Sequence, residues 1–197
     1  MAIEFKKQVY SGKTPVIWRG ECKILPGGFK PKQTFPTGTI LRRGLPIQVD
    51  FDEMSAGVVK IAKVLTGGTT TAPRIGKEHL FAVGDTVQKL GAATSTTISK
   101  IDTSNADYDV ITLAAEITGL AAGDSIQESD GESSAAPLYT PNMVIGADLE
   151  FKGTGIPTID AAYEAVVLYN NVNYPIPADW LQGVCLKSNP NILFIKQ

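Results

Sequence analysis

The residues that could perform chemistry in this chain of 197 residues are few and widely spaced. His79 is the single histidine, and no cysteine pair lies near it in the sequence with which to build a zinc site of familiar spacing. A Ser–His–Asp triad would depend on His79, and no Gly-x-Ser-x-Gly elbow accompanies it. Cys22 and Cys185 are far apart and form no Cys-x-x-Cys motif, so we expect two free thiols. We therefore predict a structural role for His79.

A short segment imitates the end of a phosphate-binding loop. Gly12-Lys13-Thr14 matches the last positions of that motif, but Lys7 stands where the upstream glycine is required. No strand-to-helix pattern surrounds the segment, so we interpret the match as coincidence.

A second segment imitates a calcium-binding loop. Asn105, Asp107 and Asp109 alternate and Glu116 follows, but Val110 occupies the position at which the loop needs glycine for its sharp turn. We predict an Asn/Asp turn, with weak calcium binding as the alternative. With no other constellation to consider, we expect no catalysis, no cofactor and no metal site.

Composition and patterning predict an all-β protein. Charged residues make up 19% of the chain, hydrophobic residues 43%, and the chain has 19 glycines and 12 prolines. Apolar residues alternate with polar or turn residues from Leu45 to Phe51, the period of a half-buried strand, with Leu45, Ile47, Val49 and Phe51 predicted on the buried face. No uninterrupted apolar stretch approaches the ~18 residues of a spanning helix, so we expect no membrane partner. The first ten residues show no pattern of an export signal.

Two polar stretches suggest a nested domain organisation. They are residues 66–71 and 129–134, and they bracket short strands separated by turns. Within these strands Gly84-Asp85 and Gly123-Asp124 each precede a hydroxyl residue and a β-branched residue, which is typical of equivalent corners in a small barrel. We predict an outer β-sandwich or barrel-like domain, an inserted small β-barrel and an extended N-terminal arm, whose apolar side chains must dock on its own body or on a neighbour's. Their predicted ranges are 37–66 plus 136–197 for the outer domain, 76–130 for the inserted barrel and 1–36 for the arm.

The charge is divided unevenly along the chain. Residues 1–43 hold nine basic and two acidic side chains, a net charge of +7, whereas the remaining residues hold nine basic and eighteen acidic side chains, a net charge of −9. The basic residues are spread out between prolines, which disfavours nucleic acid as a partner and favours an acidic protein face, such as the body of a second copy. The candidate interface residues are Trp18, Ile24, Phe29, Arg42 and Arg43.

Three segments resemble bacteriophage proteins of the capsid exterior. The first is similar to the strand–turn opening of phage head decoration proteins, and the other two are similar to head fiber proteins of phages and prophages. These segments are 38–46 (GTILRRGLP), 63–74 (KVLTGGTTTAPR) with Phe81-x-Val83-Gly84-Asp85 after it, and 173–181 (NYPIPADWL) with 186–197.

The resemblance implies a virion structural protein, a head fiber or head decoration protein made in the cytoplasm of a bacterial host and attached to the outside of a capsid. It implies a homo-oligomer, with a trimer favoured, that binds the major capsid protein. One alternative is a carbohydrate-binding or adhesion module of a phage appendage, for which Trp18, Tyr163, Tyr174 and Trp180 are the candidate aromatics. The other alternative is a small enzyme of unrecognised type.

Overall fold

The computed structural model describes residues 15–131 and 135–196, which form sixteen strands and two short 3₁₀ helices. The first eight strands are β1 (Lys23–Pro31), β2 (Ile40–Leu41), β3 (Pro46–Asp50), β4 (Ser55–Val58), β5 (Ile61–Leu65), β6 (Arg74–Gly76), β7 (Thr86–Lys89) and β8 (Ser95–Asp102). The others are β9 (Tyr108–Leu113), β10 (Ser125–Glu128), β11 (Met143–Ile145), β12 (Leu149–Glu150), β13 (Ile159–Leu168), β14 (Leu181–Gln182), β15 (Cys185–Leu186) and β16 (Asn189–Ile195). The 3₁₀ helices are Tyr169–Asn171 and Ala178–Trp180.

Five strands close a first barrel in the order β1-β4-β3-β11-β13, with β13 pairing back onto β1. The alternation predicted around β3 is confirmed from Ile47 to Val49, which are buried on either side of exposed Gln48, but it is wrong at Phe51, which is 55% exposed beyond the end of the strand. The far half of β13 leaves the barrel wall and pairs with β16, which continues the sheet through β15 to β14. β2 and β12 form a separate two-stranded sheet.

Residues 15–31 belong to the wall of the five-stranded barrel of their own chain. Lys23–Pro31 is the strand that closes the barrel, and Phe29 at its end is 2% exposed in the core. Ile17 accepts a hydrogen bond from the Leu168 amide at 2.7 Å, which fixes the chain before β1 along β13. From Pro15 to Pro31 the predicted extended arm therefore docks on its own body and not on a neighbour's, since burial of its apolar side chains is satisfied within the same molecule. Residues 1–14 lie outside the described residues.

Six further strands close a second barrel in the order β10-β5-β6-β9-β8-β7. The two Gly-Asp corners are equivalent, as the sequence predicted. Gly84 and Gly123 have φ values of 96° and 97°, in the left-handed region that favours glycine. The Asp85 and Asp124 carboxylates each accept a hydrogen bond at 2.8 Å from the amide three residues earlier. The all-β class with a small closed barrel is confirmed.

The chain passes between the barrels at different residues from those expected. β5 belongs to the six-stranded barrel, so its wall begins at Ile61 and the outer-domain range does not extend to residue 66. Residues 66–73 are the turn that joins β5 to β6, and the Thr70 and Thr71 carbonyls accept hydrogen bonds from Ile117 and Leu113. The Thr- and Gly-rich sequence there forms a hairpin turn, and the passage lies at Val59–Lys60.

A buried ionic cluster lies at this passage. The Lys60 ammonium is 2.7 Å from the Asp85 carboxylate and 2.9 Å from that of Glu128, and the three side chains are 7%, 15% and 10% exposed. Gln33 of the five-stranded side donates to Glu128 at 3.3 Å and exchanges two hydrogen bonds with the Val58 backbone. We call Lys60, Asp85, Glu128 and Gln33 the junction cluster. The junction cluster therefore connects side chains of both barrels at the point where the chain passes from one to the other.

Candidate attachment surface

A groove of about 500 Å³ opens at one end of the five-stranded barrel. One wall is the segment that leaves β1, and the other is the loop between β12 and β13. We call it the barrel-end groove; its lining includes Pro31, Phe35, Phe151, Ile156 and Pro157. Phe35 and Phe151 lie at its base, 8% exposed each, with ring centroids 5.2 Å apart. The groove is therefore a largely apolar depression with a packed floor.

Three exposed apolar side chains lie beside the barrel-end groove. Ile156 is 80% exposed, and Phe51 and Met54, in the turn between β3 and β4, are 55% and 49% exposed. The Phe51 ring contacts Phe29 edge-to-face at 5.7 Å, and the Met54 carbonyl accepts the Lys30 amide at 3.0 Å. Phe51 and Met54 therefore lie next to the end of β1, where Lys30 lines the groove, and Ile156 lies in the loop that forms the opposite wall. Clustered exposed apolar groups of this kind mark interaction sites in soluble proteins.

The turn beside the groove is acidic and ordered by hydrogen bonds. Asp50 accepts the amides of Asp52 and Glu53 at 3.1 Å each, and Lys32 pairs with Asp50 at 3.2 Å and Glu53 at 3.0 Å. The Glu53 amide and then Lys32 lower the pKa of Asp50, while hydrogen bonds to Glu53 and Asp50 raise the pKa of Lys32. Met54 has a φ of 49° at the end of this turn. The turn thus holds its apolar side chains outward on a fixed backbone.

The five candidate interface residues do not form a single surface. Trp18 pairs with Val167 near the far end of β13 and packs against the core, whereas Phe29 pairs with Ile159 at the near end and is buried. Ile24 pairs with Ala162 between them and is half-buried. While the barrel is intact, Phe29 is not accessible to a partner.

Arg42 and Arg43 share one acidic partner. Their guanidinium groups each lie 3.9 Å from Asp148, and Arg42 is 3.8 Å from Glu78 of the other barrel. Asn173 donates to Glu78 at 2.6 Å. The two arginines are 41% and 35% exposed, so they keep part of their surface for a partner. Their interface role stays a prediction.

The aromatic candidates for sugar stacking belong to the five-stranded core. Tyr174 is 5% exposed, and Trp18, Tyr163 and Trp180 pack against the same cluster while half-buried. The exposed apolar residues in and beside the groove, Phe51, Met54 and Ile156, are not among the candidate interface residues that the sequence indicated. Phe51 had been interpreted as the end of a half-buried strand, but β3 ends at Asp50. Ile156 carries no sequence signal beyond its glycine- and proline-containing loop.

His79 has both ring nitrogens engaged by its own barrel. Nδ1 accepts the Phe81 amide at 2.9 Å, which places the proton of the neutral ring on Nε2, 3.2 Å from Asp109. Asp109 also pairs with Lys77. Burial lowers the pKa of His79, and the carboxylate of Asp109 opposes that shift only in part. The arrangement suits a neutral structural histidine.

A titration of His79 checks this assignment. Because the chain has one histidine, a single imidazole resonance reports its pKa by NMR. We expect a midpoint below the ordinary value of about 6.5. Folding favours the neutral ring, so the free energy of unfolding should decrease as the pH falls from about 6.5 through the folded pKa of His79. A midpoint at or above about 6.5 would contradict the burial argument.

The predicted calcium-like segment is a turn. The Asn105 side chain accepts the Asp107 amide at 2.9 Å, and Asp109 points to Lys77 and His79. Among residues 15–131 and 135–196, no group of three or more His, Cys, Asp or Glu side chains could hold a metal ion. Cys22 and Cys185 are free thiols, as predicted, and burial raises the pKa of Cys22.

No protein-family model, curated protein or solved structure matches this chain. Within the described part of the chain, no helix is both long and apolar enough to cross a membrane.

Proposed function

We propose that this chain is a non-catalytic structural protein of a phage or prophage virion, a head fiber or head decoration protein that attaches to the outside of a capsid. The observation that carries the proposal is the barrel-end groove with Phe51, Met54 and Ile156 exposed beside it. An apolar depression rimmed by exposed apolar side chains is suited to bind a segment of another protein. The resemblance of three segments to capsid-exterior proteins names the class of partner.

The two closed barrels support the same proposal. Within the two closed barrel walls no strand edge is free to pair with another chain, so the walls themselves do not provide attachment by strand pairing. The junction cluster and the Asn173–Glu78 hydrogen bond brace the six-stranded barrel against the five-stranded one. A braced two-barrel body can project from a shell as a unit. Catalysis needs a reactive group, whereas His79 and Asp109 are already engaged with each other.

Co-sedimentation with assembled shells tests the proposal. The shells are assembled from the major capsid protein of the phage or prophage that encodes this chain, and the bound fraction is measured against protein concentration. We expect saturable binding that Ile156→Asp weakens at least about tenfold, since a buried charge without a partner costs more than 1.4 kcal/mol. The matched control is Val184→Asp in the turn between β14 and β15, where the native side chain is 47% exposed. Equal binding by both variants would remove the groove from the proposal, and no binding by the native chain would refute the function.

A further inference from the structure

We propose that the barrel-end groove also receives residues 1–14 of a second copy, so that copies join head to tail. The inference rests on the proposed attachment function and names a second occupant for the same surface. The copy at the shell uses its groove on the shell, and each later copy uses its groove on the copy before it.

The groove and the first described residues of the chain lie near opposite ends of β13. Phe29 pairs with Ile159, where β13 begins beside the groove. Ile17 bonds to Leu168, where β13 ends, and Asn171 donates to the Val16 carbonyl at 2.7 Å. A strand of ten residues spans about 30 Å at ~3.3 Å per residue. Residues 1–14 therefore join the barrel far from the groove of their own molecule.

The reach of residues 1–14 favours the groove of a neighbour. Fourteen residues span at most about 48 Å when fully extended. A path back to their own groove uses about 30 Å of that reach and leaves roughly five residues for contact. The groove of a copy that follows end to end is open to the whole segment.

The chemistry of residues 1–14 matches that of the groove. The segment has apolar side chains at Ile3, Phe5, Val9 and Tyr10, and its three lysines and one glutamate give it a net charge of +2. Two lysines follow Phe5 directly in the sequence. The acidic turn between β3 and β4 lies next to the wall of the groove that β1 forms. That turn has Asp50, Asp52 and Glu53 against Lys32 alone, whereas the groove lining itself has Lys30 and Lys152 against Glu150. We expect the two lysines to lie over the acidic turn and the apolar side chains to fill the groove.

When a contact joins two different surfaces, a pair of copies still has one unused surface of each kind. Such head-to-tail contacts give a ring or an open stack, depending on the rotation between copies. Each copy in the interior of a stack both donates residues 1–14 and receives them. The end copy keeps one groove, and that groove remains available for the shell.

A complementation experiment with two defective chains tests this inference. One chain lacks residues 1–14 and keeps the groove, and the other carries Ile156→Asp and keeps residues 1–14. Their masses are measured by light scattering alone and as an equimolar mixture. We expect the native chain to exceed its 21.0 kDa with rising concentration and each defective chain to remain at its single-chain mass. The mixture should form a one-to-one pair whose mass is the sum of the two chain masses and grow no further.

Controls separate binding from misfolding. Ile156 is 80% exposed, so Ile156→Asp should keep the native thermal midpoint. Phe51→Ser provides a second variant beside the groove that should also lose association, with only a small fall in its thermal midpoint. Val184→Asp should associate as the native chain does. A native chain that stays at single-chain mass, a truncated chain that still associates, or a mixture that forms no pair would each overturn the inference.

Shell binding distinguishes this inference from the proposed function. If both hold, the chain without residues 1–14 still binds shells but saturates at fewer copies than the native chain. Equal saturation of the two chains overturns head-to-tail joining and leaves shell attachment standing. Association of free chains without any shell binding would refute shell attachment and leave head-to-tail joining standing.

Discussion

Lys60→Met should lower the free energy of unfolding by about 3–5 kcal/mol at neutral pH. The substitution removes the ammonium that lies 2.7 Å from Asp85 and 2.9 Å from Glu128, and it leaves two carboxylates together in a buried place. Breaking a buried ion pair by removing one partner costs this much because the remaining charge has lost its compensation. Urea unfolding of the full chain measures the effect. Lys63→Met is the matched control, since Lys63 is an exposed lysine of the same strand region.

The loss of unfolding free energy caused by Lys60→Met should become smaller as the pH falls. Burial raises the pKa of Glu128, and Lys60 opposes that shift. A carboxyl group whose folded pKa is raised destabilises the fold at high pH, and this cost disappears as the pH falls through the folded pKa. Without Lys60 the pKa should be higher still, so the variant regains stability at a higher pH than the native chain. His79 titrates in both proteins and cancels in the difference.

Unfolding measured at about pH 7 and pH 5 checks this dependence. We expect the difference between native chain and variant to be smaller at the lower pH. A deficit that is constant with pH would mean that the lost packing of the lysine stem, and not uncompensated charge, causes the loss. A deficit no larger than that of Lys63→Met would refute the role of the junction cluster.

Phe29→Ala should cost about 3–5 kcal/mol, the range for deleting a buried aromatic side chain. Phe29 is 2% exposed and lies in the strand that closes the five-stranded barrel. Its neighbour Phe51 offers a matched comparison, because the two rings touch edge-to-face at 5.7 Å but Phe51 is 55% exposed. Phe51→Ala should cost about 0.5–1.5 kcal/mol, the value of the aromatic pair itself.

Denaturant unfolding of the two variants separates a core residue from a surface residue. If Phe29→Ala costs no more free energy of unfolding than Phe51→Ala, the strand Lys23–Pro31 contributes little to the barrel. That result would favour an arm that docks outside its own barrel. By the same reasoning, deletion of residues 1–36 should unfold the five-stranded barrel, whereas deletion of residues 1–14 should leave it folded. A folded product from the longer deletion would contradict the closure of the barrel by β1.

The Gly-Asp corners of the six-stranded barrel could be predicted because their chemistry is local. Gly84 and Gly123 supply a positive φ, and Asp85 and Asp124 bond to amides three residues away. Everything that such a turn needs lies within four consecutive residues. The alternation in β3 is local in the same sense.

The passage between the barrels could not be predicted because its cause is distant in sequence. Val59–Lys60 has no glycine or proline, and the partners of Lys60 are 25 and 68 residues away. Residues 66–71 have the composition of a linker but form a hairpin turn. Their threonine carbonyls are bound by β9 and the segment that follows it, and no local pattern indicates this.

The barrel-end groove was missed for a related reason. Its walls come from residues 30–35 and 149–158, which only the pairing of β1 with β13 brings together. The proline-rich composition that suggested an arm is compatible with an irregular closing strand, and β1 does contain register shifts. The docking of residues 15–31 on their own body was among the expected outcomes, but composition could not choose between this body and a neighbour's.

The nesting of one barrel within the other sets an order of events during synthesis. All six strands of the second barrel lie between residues 61 and 128, so it can be completed as soon as that stretch has left the ribosome. The first barrel has β1, β3 and β4 made early but needs β11 and β13, which are translated after the insert. Its early apolar strands must therefore wait, exposed to chaperones and to other nascent chains, while the later-starting barrel folds first.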